Sequence, residues 1–598
     1  MTSTTIEWYT YLRRLDMGRE KTKLISIILI SSIFYLQTSS YSSMLETEKL
    51  PPLSQNQPLT EQTSFQLDNN NYLIDQAPTE SYAQATLDYF INPALGLDER
   101  TGLVHNYIVD KGGYIERAGY TSITDIGLQL ASISGAYETG MLSENKAQTM
   151  ISKVIDTLNI MEAYDASFGD FEGCRYYFNY YDLNTLTSNK KVLSSIDNAW
   201  LATGLITARE TFPNLAEKIN SVLEKMDFGL FYNSRRNLFR VGFFYNPETD
   251  SLIDLNSLYT KTLYEVMNSE TRMISYLAIG KGDLSEEKIS QHLQKLDHEL
   301  IEYNSISIAP SSGGSAFEHG MPTLFVDEID LSPLGFGINL KKSFYIQMLQ
   351  AKELNYPIWG ESPSTDEDYG YSEFGSPSGK YPYDSRGVIT PHASFLALEV
   401  LPNEAIRNLE NIALLYPNAY RENFGFADAI NLNNNGVITK YLALDQGMAF
   451  ISALNSISGG IIRDTFMNSP EGVEINEAIS KIAFFTPDEL EQEAEECYSL
   501  AERYIAEGTW QVAEVLLDYT VDLCQNYIAT GIDLSNIELY RLEIAKQEQL
   551  FLNSLYREAE DLIAQDKLSE AERKLIQILA VEEDYSNAIQ MLRQLQNR

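Results

Sequence analysis

From Ile123 onward, apolar residues return at helical spacing in one pair of segments after another, and this recurrence limits the chain to a helical architecture. Ile123, Ile126, Leu130 and Ile133 make one apolar face, Gly140 marks a stop, and Ser143 can cap a second helix carrying Ile151, Val154, Ile155 and Leu158. The pattern predicts further helices over 195–212, 258–277, 340–354, 391–401, 404–415 and 445–457, with loops rich in Gly, Pro, Asn and Tyr between them. Strand-like alternation is confined to short pieces such as 238–244. Consecutive amphipathic helices form hairpins, and a long series of hairpins with functional loops suits a ring of paired helices whose loops gather over one end. The expected class is mainly α.

At 598 residues the chain exceeds one ordinary core, since a domain takes roughly 100–200 residues. After Thr486 the loops shrink, Gly almost vanishes, and Glu, Leu and Ala dominate. Tyr498, Ala501, Ile505, Ala506, Ala513 and Leu517 recur 58 positions later as Tyr556, Ala559, Ile563, Ala564, Ala571 and Leu575. This repeat resembles the tetratricopeptide helix pair, in which small residues let two helices approach, and it predicts two related pairs with an irregular insertion. Such a module binds a protein segment or stiffens its neighbour. At the other end, Arg13, Arg14, Arg19, Lys21 and Lys23 precede the apolar run 24–36, followed by the polar stretch 37–43. That order reads as an export signal, or as an anchor where it is not cleaved. The expected division is a signal or anchor over 1–45, a Pro-, Gln- and Asn-rich linker over 46–78, a helical ring over 79–484 and a helical repeat over 485–598.

A formal charge of −40 repels phosphate backbones and anionic surfaces, so nucleic acid is not an expected partner. Cys174, Cys497 and Cys524 are too scattered for a disulfide framework, and the five histidines lack metal-helix spacing. Neither a metal nor a cofactor is expected.

Candidate chemistry rests on carboxylates. Within the predicted helix 258–277, Leu263, Val266, Met267, Met273, Ile274 and Leu277 form the apolar stripe and Glu270 falls in the middle of it. Burial raises a carboxyl pKa, as a general acid near neutral pH requires; the plainer alternative is an internal salt bridge with Arg272 or a more distant Arg. Asp197 opens a helix, where a negative charge also complements the helix dipole. Glu318 and His319 follow the Gly313-Gly314 loop. The stretch from Trp359 to Tyr371 holds Glu361, Asp366, Glu367 and Asp368 among three aromatics, a composition suited to sugar rings and hydroxyls. Asp445 and Gln446 open another helix.

Eight stretches taken together resemble the glycoamylase-like domain family, which includes endo-β-1,2-glucanases and, more distantly, the cyclising domain of cyclic β-1,2-glucan synthases. They are Thr121-Ser122-Ile123-Thr124-Asp125-Ile126-Gly127, Leu193-Ser194-Ser195-Ile196-Asp197, Met267-Asn268-Ser269-Glu270, Phe317-Glu318-His319-Gly320-Met321-Pro322, Trp359-Gly360, Thr390-Pro391-His392-Ala393-Ser394, Phe424-Gly425-Phe426-Ala427-Asp428-Ala429 and Leu444-Asp445-Gln446-Gly447. The resemblance implies an (α/α)6 toroid and glycosidic-bond chemistry, with Glu270 where the family carries its acid. It makes Asp197 and Asp445 candidates for the second catalytic carboxylate. Glu318, His319, Trp359, Glu361, Asp366, Tyr371, His392 and Gln446 become candidates for holding the substrate. Glu361 departs from the family pattern, in which the residue after Trp-Gly is commonly apolar. The expectation is an exported glycoside hydrolase, periplasmic or extracellular, acting on a β-glucan or related polysaccharide, and inverting by resemblance. The alternatives are a silent glycan-binding scaffold with a peptide-binding tail, and a phosphorylase or transglycosylase on the same toroid.

Overall fold

Six helices that begin close to one another form an inner ring in the computed structural model, which describes residues 77–255, 263–384, 387–528, 532, 534–581 and 585–596. In chain order the ring contains Ile123–Glu138, Ser195–Thr211, Arg272–Gly280, Ala316–Gly320, Pro391–Ala397 and Ala443–Ser458. The last packs against the first, which closes the circle. Behind them in the same order lie Glu144–Ile160, Ala216–Leu223, Pro470–Ile479, Ile338–Glu353, Pro402–Leu415 and Ala77–Ile91. The architecture is therefore mainly α, an (α/α)6 toroid. The predicted signal and the linker up to residue 76 lie outside the described residues. No helix among those described is long and apolar enough to cross a membrane.

The ring is drawn tight by glycines. A Cβ on Gly204 would stand 2.0 Å from the Gly127 carbonyl oxygen, and one on Gly127 would stand 2.2 Å from that of Trp200. The first two inner helices thus cross with backbone against backbone. At the far end, Ile461–Met467 packs on three inner helices, and Phe325 bridges Trp200 and Phe466 at ring separations of 6.1 and 6.2 Å. That end of the ring is filled by apolar side chains.

Many antiparallel ladders of two to five residues decorate the open end, more than alternation alone predicts, because pieces this short carry no readable period. Tyr107–Asp110, for example, pairs with Ile115–Arg117 and with Lys440–Leu442, which runs straight into the last inner helix. The predicted helix over 258–277 needs correction. Residues 256–262 lie outside the described set, 263–271 are irregular, and the helix starts at Arg272. Its expected first turns are diverted because Tyr264 N–H donates to the Phe239 carbonyl and Met267 N–H to that of Asp297, instead of to carbonyls four residues back. Ser143 occupies the N-cap position of its helix without making a side-chain cap.

Beyond Thr486 come Pro487–Glu507, Trp510–Asn526, Leu534–Ala564, Leu568–Val581 and Ser586–Gln596. The sequence insertion between the two repeat copies is helical from Leu534, where it extends the second copy's first helix. Residues 75–598 form one compact unit. Lys342 of an outer toroid helix, fully buried, lies 2.9 Å from Glu493, which also accepts from the Tyr519 hydroxyl; Lys341 pairs with Asp522 at 2.9 Å.

Two stability outcomes follow. Gly204→Ala should lower unfolding free energy in urea by about 1–3 kcal/mol, since the new methyl has only backbone to displace. Lys342→Met should cost about 3–5 kcal/mol by leaving Glu493 buried without its cation, and the double variant Lys342→Met/Glu493→Gln should recover most of that loss in the same titration.

Candidate active site

The inner helices deliver acids to the mouth by a shared local device. Ser122 caps its helix through the Asp125 N–H at 3.0 Å, and the Ser122 N–H returns a 3.0 Å bond to the Asp125 carboxylate. Ser315 and Glu318 make the same reciprocal capping box, with both bonds at 3.2 Å. Ser194 caps through the Asp197 N–H at 3.3 Å, and the Asp197 carboxylate accepts the Thr124 hydroxyl at 2.7 Å. Asp445 holds the same third position of its helix, but the cap there is Leu442, which has no hydroxyl to offer. Its carboxylate is thereby left out of capping.

Glu270 lies two residues before the first residue of its helix, next to the N-cap Thr271, and is 6% exposed. Its carboxyl accepts the Ser269 hydroxyl at 2.7 Å. Burial and the neighbouring charge of Glu318 push its pKa up to about 7. Glu318 is raised by burial too, yet it accepts from the Ser311 hydroxyl at 2.9 Å and from the Gly313 and Ser315 N–H groups. Those donors favour the carboxylate of Glu318 and oppose its rise, whereas Glu270 has only the Ser269 hydroxyl and its own backbone amide to do so. The alternative of a Glu270–Arg272 salt bridge is not realised. The Arg272 guanidinium is committed to Glu328 at 2.6 and 2.7 Å and to the carbonyls of Ser269, Glu318 and His319. The Gly313-Gly314 loop is needed for close approach: a Cβ on Gly313 would overlap the Tyr383 ring at 1.9 Å, and Gly314 has a φ of +79°. Tyr383 in turn meets Glu318 and Glu270.

Across the ring, Asp445 is 2% exposed and neither of its oxygens meets a donor among the described residues. Burial pushes its pKa up to about 7, and the neighbouring Asp428 and Lys440 oppose the rise. Asp428 itself is raised well above the usual range, first by burial and then by the Asp445 charge, while it accepts the Thr365 N–H at 2.6 Å. His392 sits 3.4 Å from Asp445 and is held near a pKa of about 4 by burial, so it is neutral. Ser364 Oγ, Thr365 Oγ1, His392 Nε2 and Gln446 Oε1 are buried around the pair without a partner among the described residues. Asp125 is also raised to about 7, first by burial and in part by Asp197.

The remaining candidates divide. Tyr371 joins the Asp428–Asp445 wall, and both charges act on its phenol. Gln446 donates to the Phe426 carbonyl at 2.9 Å. His319 takes a hydrogen bond from Asn268 on Nδ1 at 2.6 Å and faces Ser378 through Nε2; burial and Arg272 lower its pKa to about 3. It is a neutral spacer. Glu361 is buried, and its backbone receives Gln347 and the Ala316 N–H. Two candidates have roles within the fold. Trp359 is not an open stacking surface, because its ring packs inside the core against Phe344 at 5.9 Å and its backbone is bound both ways by Asn408. Asp366 is a turn-former, bonded to the Asp368 and Gly370 N–H groups and to the Ser372 hydroxyl. Sequence reasoning passed over Asp125, Asp428, Tyr264 and Tyr383. For Asp125 a signal existed, since Ser122-x-x-Asp125 has the same spacing as Ser315-x-x-Glu318; single tyrosines among 38 carry none.

A helical toroid with acids converging on its one open end is the architecture of the α/α-toroid enzymes. Residues 263–470 match the model of the Glycoamylase family, described as "Putative glucoamylase". A cyclic β-(1,2)-glucan synthase of Rhizobium meliloti (strain 1021) is 28% identical over 272 residues, which is 43% of this chain but only 9% of that protein. The endo-β-1,2-glucanase of Chitinophaga pinensis, solved with sophorotriose and glucose, superposes with a TM-score of 0.55 at 15% identity, over 67% of this chain and 97% of that one. The endo-β-1,2-glucanase of Talaromyces funiculosus, solved with sophorose, gives 0.51 at 14% identity over 69% and 94%. At these identities the structures establish the shared fold.

The raised pKa of Glu270 sets a pH dependence. Between about pH 4.5 and 7 the folded protein binds a proton there that the unfolded chain releases, so this contribution to stability is present below that window and is lost as pH rises through it. Glu270→Gln, which mimics the protonated acid, should match the parent's thermal midpoint at pH 4.5 and exceed it increasingly toward pH 8, as scanning calorimetry across that range would record.

Proposed function

We propose that this chain is a carbohydrate-active enzyme, and specifically a glycoside hydrolase that cuts a β-glucan, with Glu270 as general acid and Asp445 as general base. The observation that carries the reading is the division of labour between opposite walls. Glu270 precedes the third inner helix and Asp445 lies on the sixth, so they face each other across the ring. The first is buried with its proton. The second offers buried oxygens that no neighbouring donor occupies. A base must have an uncommitted lone pair for water and a pKa near the working pH, and Asp445 meets both conditions. Asp197, already bonded to Thr124, suits a substrate hydroxyl better.

Hydrolysis then proceeds by protonation of the glycosidic oxygen from Glu270 while Asp445 takes a proton from water on the other face of the sugar. Acids on opposite sides of the ring suit inversion, for which carboxyls stand roughly 6.5–9.5 Å apart. The names of the solved toroid relatives make β-1,2-glucan the first substrate to try. Export fits the basic and apolar N-terminal order. The tail is read as a buttress for the 338–353 helix, through the buried Lys342–Glu493 pair.

Reducing-sugar release should be measured on β-1,2-, β-1,3- and β-1,4-glucans and on α-glucans, with and without phosphate. The parent should release sugar in water alone, and Glu270→Gln and Asp445→Asn should each lower kcat by about 10²–10⁴ while remaining folded. Full activity in Glu270→Gln would reject the acid; turnover that requires phosphate would make the enzyme a phosphorylase; binding without turnover would make it a scaffold.

A further inference from the structure

We propose that a file of tyrosines at the rim of the acid-lined mouth is a remote sugar platform, which grips a long glucan chain several residues from the bond being cut. The inference deepens the hydrolase reading and rests on it.

Tyr180, Tyr120 and Tyr107 come from three different short strands and stand in line. The Tyr180 and Tyr120 ring centroids are 5.8 Å apart and those of Tyr120 and Tyr107 are 6.1 Å apart, each pair nearly perpendicular. The inner end of the file reaches the carboxylates, since the Tyr180 phenol lies beside Asp197 and Asp125. Its outer end turns onto the surface. Lys440 Nζ sits 4.4 Å from the centre of the Tyr107 ring and donates to the Tyr369 carbonyl at 2.9 Å, while Lys111 lies 5.1 Å from the Tyr369 ring centre. Tyr180 and Tyr107 are half-buried, Tyr120 between them is 37% exposed, and Tyr369 beyond them is 45% exposed. The file is also anchored to the machinery: the Tyr107 strand pairs with the strand of Lys440, which leads directly into the helix of Asp445.

A tyrosine serving only the core hides its ring, whereas Tyr120 leaves over a third of itself in solvent at the edge of the cleft. A pyranose has a flat face of C–H groups that stacks on such rings, and hydroxyls at its edge that donate to acids. The ring spacing is comparable with the length of one sugar residue, so the file suits successive units of one chain. Asp366, Asp428 and Asp445 act on Lys440 at its foot, which makes the platform hospitable to a neutral glucan and unfavourable to an anionic one. A chain held this way extends outward from the Asp445 wall, and the enzyme would cut within long chains in preference to trimming short ones.

The test uses the full chain carrying Glu270→Gln, so that binding is read without turnover. Calorimetric titrations with linear β-1,2-gluco-oligosaccharides of three and of nine residues, repeated with the β-1,3 and β-1,4 series, compare this parent with the same chain also carrying Tyr120→Ala or Tyr120→Phe. The nonamer should bind about tenfold more weakly after Tyr120→Ala, the size of one lost aromatic contact. The trimer should be unaffected, and Tyr120→Phe should retain nonamer binding because the ring does the work. Equal loss for both lengths would make Tyr120 a structural residue and overturn the platform, as would no loss at either length. A parent that binds none of the oligosaccharides would overturn the hydrolase reading together with the platform.

Discussion

The Arg272–Glu328 ion pair is the contact on which the acid wall depends. Both side chains are at most 2% exposed, and the guanidinium makes five hydrogen bonds, two to Glu328 and one each to the carbonyls of Ser269, Glu318 and His319. Tyr276 gives its hydroxyl to the same carboxylate, and Phe336 lies against the cation at 5.1 Å. Five is the full complement of an arginine, so none remains for Glu270. Taking such a pair out of water is costly and repaid only when every group is satisfied, as it is here. The return is geometric. One rigid cation fixes the segment before Glu270 and the short helix bearing Glu318, and by being fully committed it leaves Glu270 buried without a counter-charge. Burial first, and then the charge of Glu318, hold the Glu270 pKa up at about 7.

A second constraint is the use of helix N-termini. An acid three residues into a helix is stabilised by the dipole and by the cap, and here this ordinary arrangement carries carboxylates to the rim of the ring four times over. What differs among them is how far each is used up by its own helix. Asp125 and Glu318 return a bond to their caps, Asp197 is taken by Thr124, and Asp445 stands over a leucine cap with nothing to bind. A single residue type at the cap, Ser or Leu, separates a structural acid from one available to water and substrate.

The helical ring was legible because amphipathic helices leave a period of 3.6 that survives inspection of one sequence, and helix after helix of it leaves little else to build. The helix through which Glu270 is singled out starts only at Arg272: the apolar neighbours Leu263 and Met267 are packed, with Leu238, Leu296 and Phe336, but around an irregular segment whose amides bond to Phe239 and Asp297. The prediction found burial and misread its cause. Asp428 was not legible as the partner of Asp445, since seventeen positions separate them and the pairing is made by a strand turning back across the mouth. Trp359 misled for the opposite reason, because an aromatic beside acids in a loop-like stretch looks like a sugar platform until the core behind it is seen. The exposed tyrosines that do rim the mouth are hidden in composition, spread over strands that come together only when the ring closes.

Gathering Glu270, Glu318, Asp125, Asp197, Asp428 and Asp445 at one end of a chain of formal charge −40 is electrostatically expensive, and the protein meets the cost by keeping protons. Burial drives the pKa values of Glu270, Asp125 and Asp445 toward 7 and that of Asp428 above the usual range. The result is a mouth rich in acceptors with a few retained donors, under a negative potential that turns away phosphates and anionic glycans. A ligand that satisfies it must arrive uncharged, bring many hydroxyl donors, and present an apolar face to the rim. A neutral polysaccharide meets all three conditions, and it does so without requiring any of the buried acids to find a counter-ion.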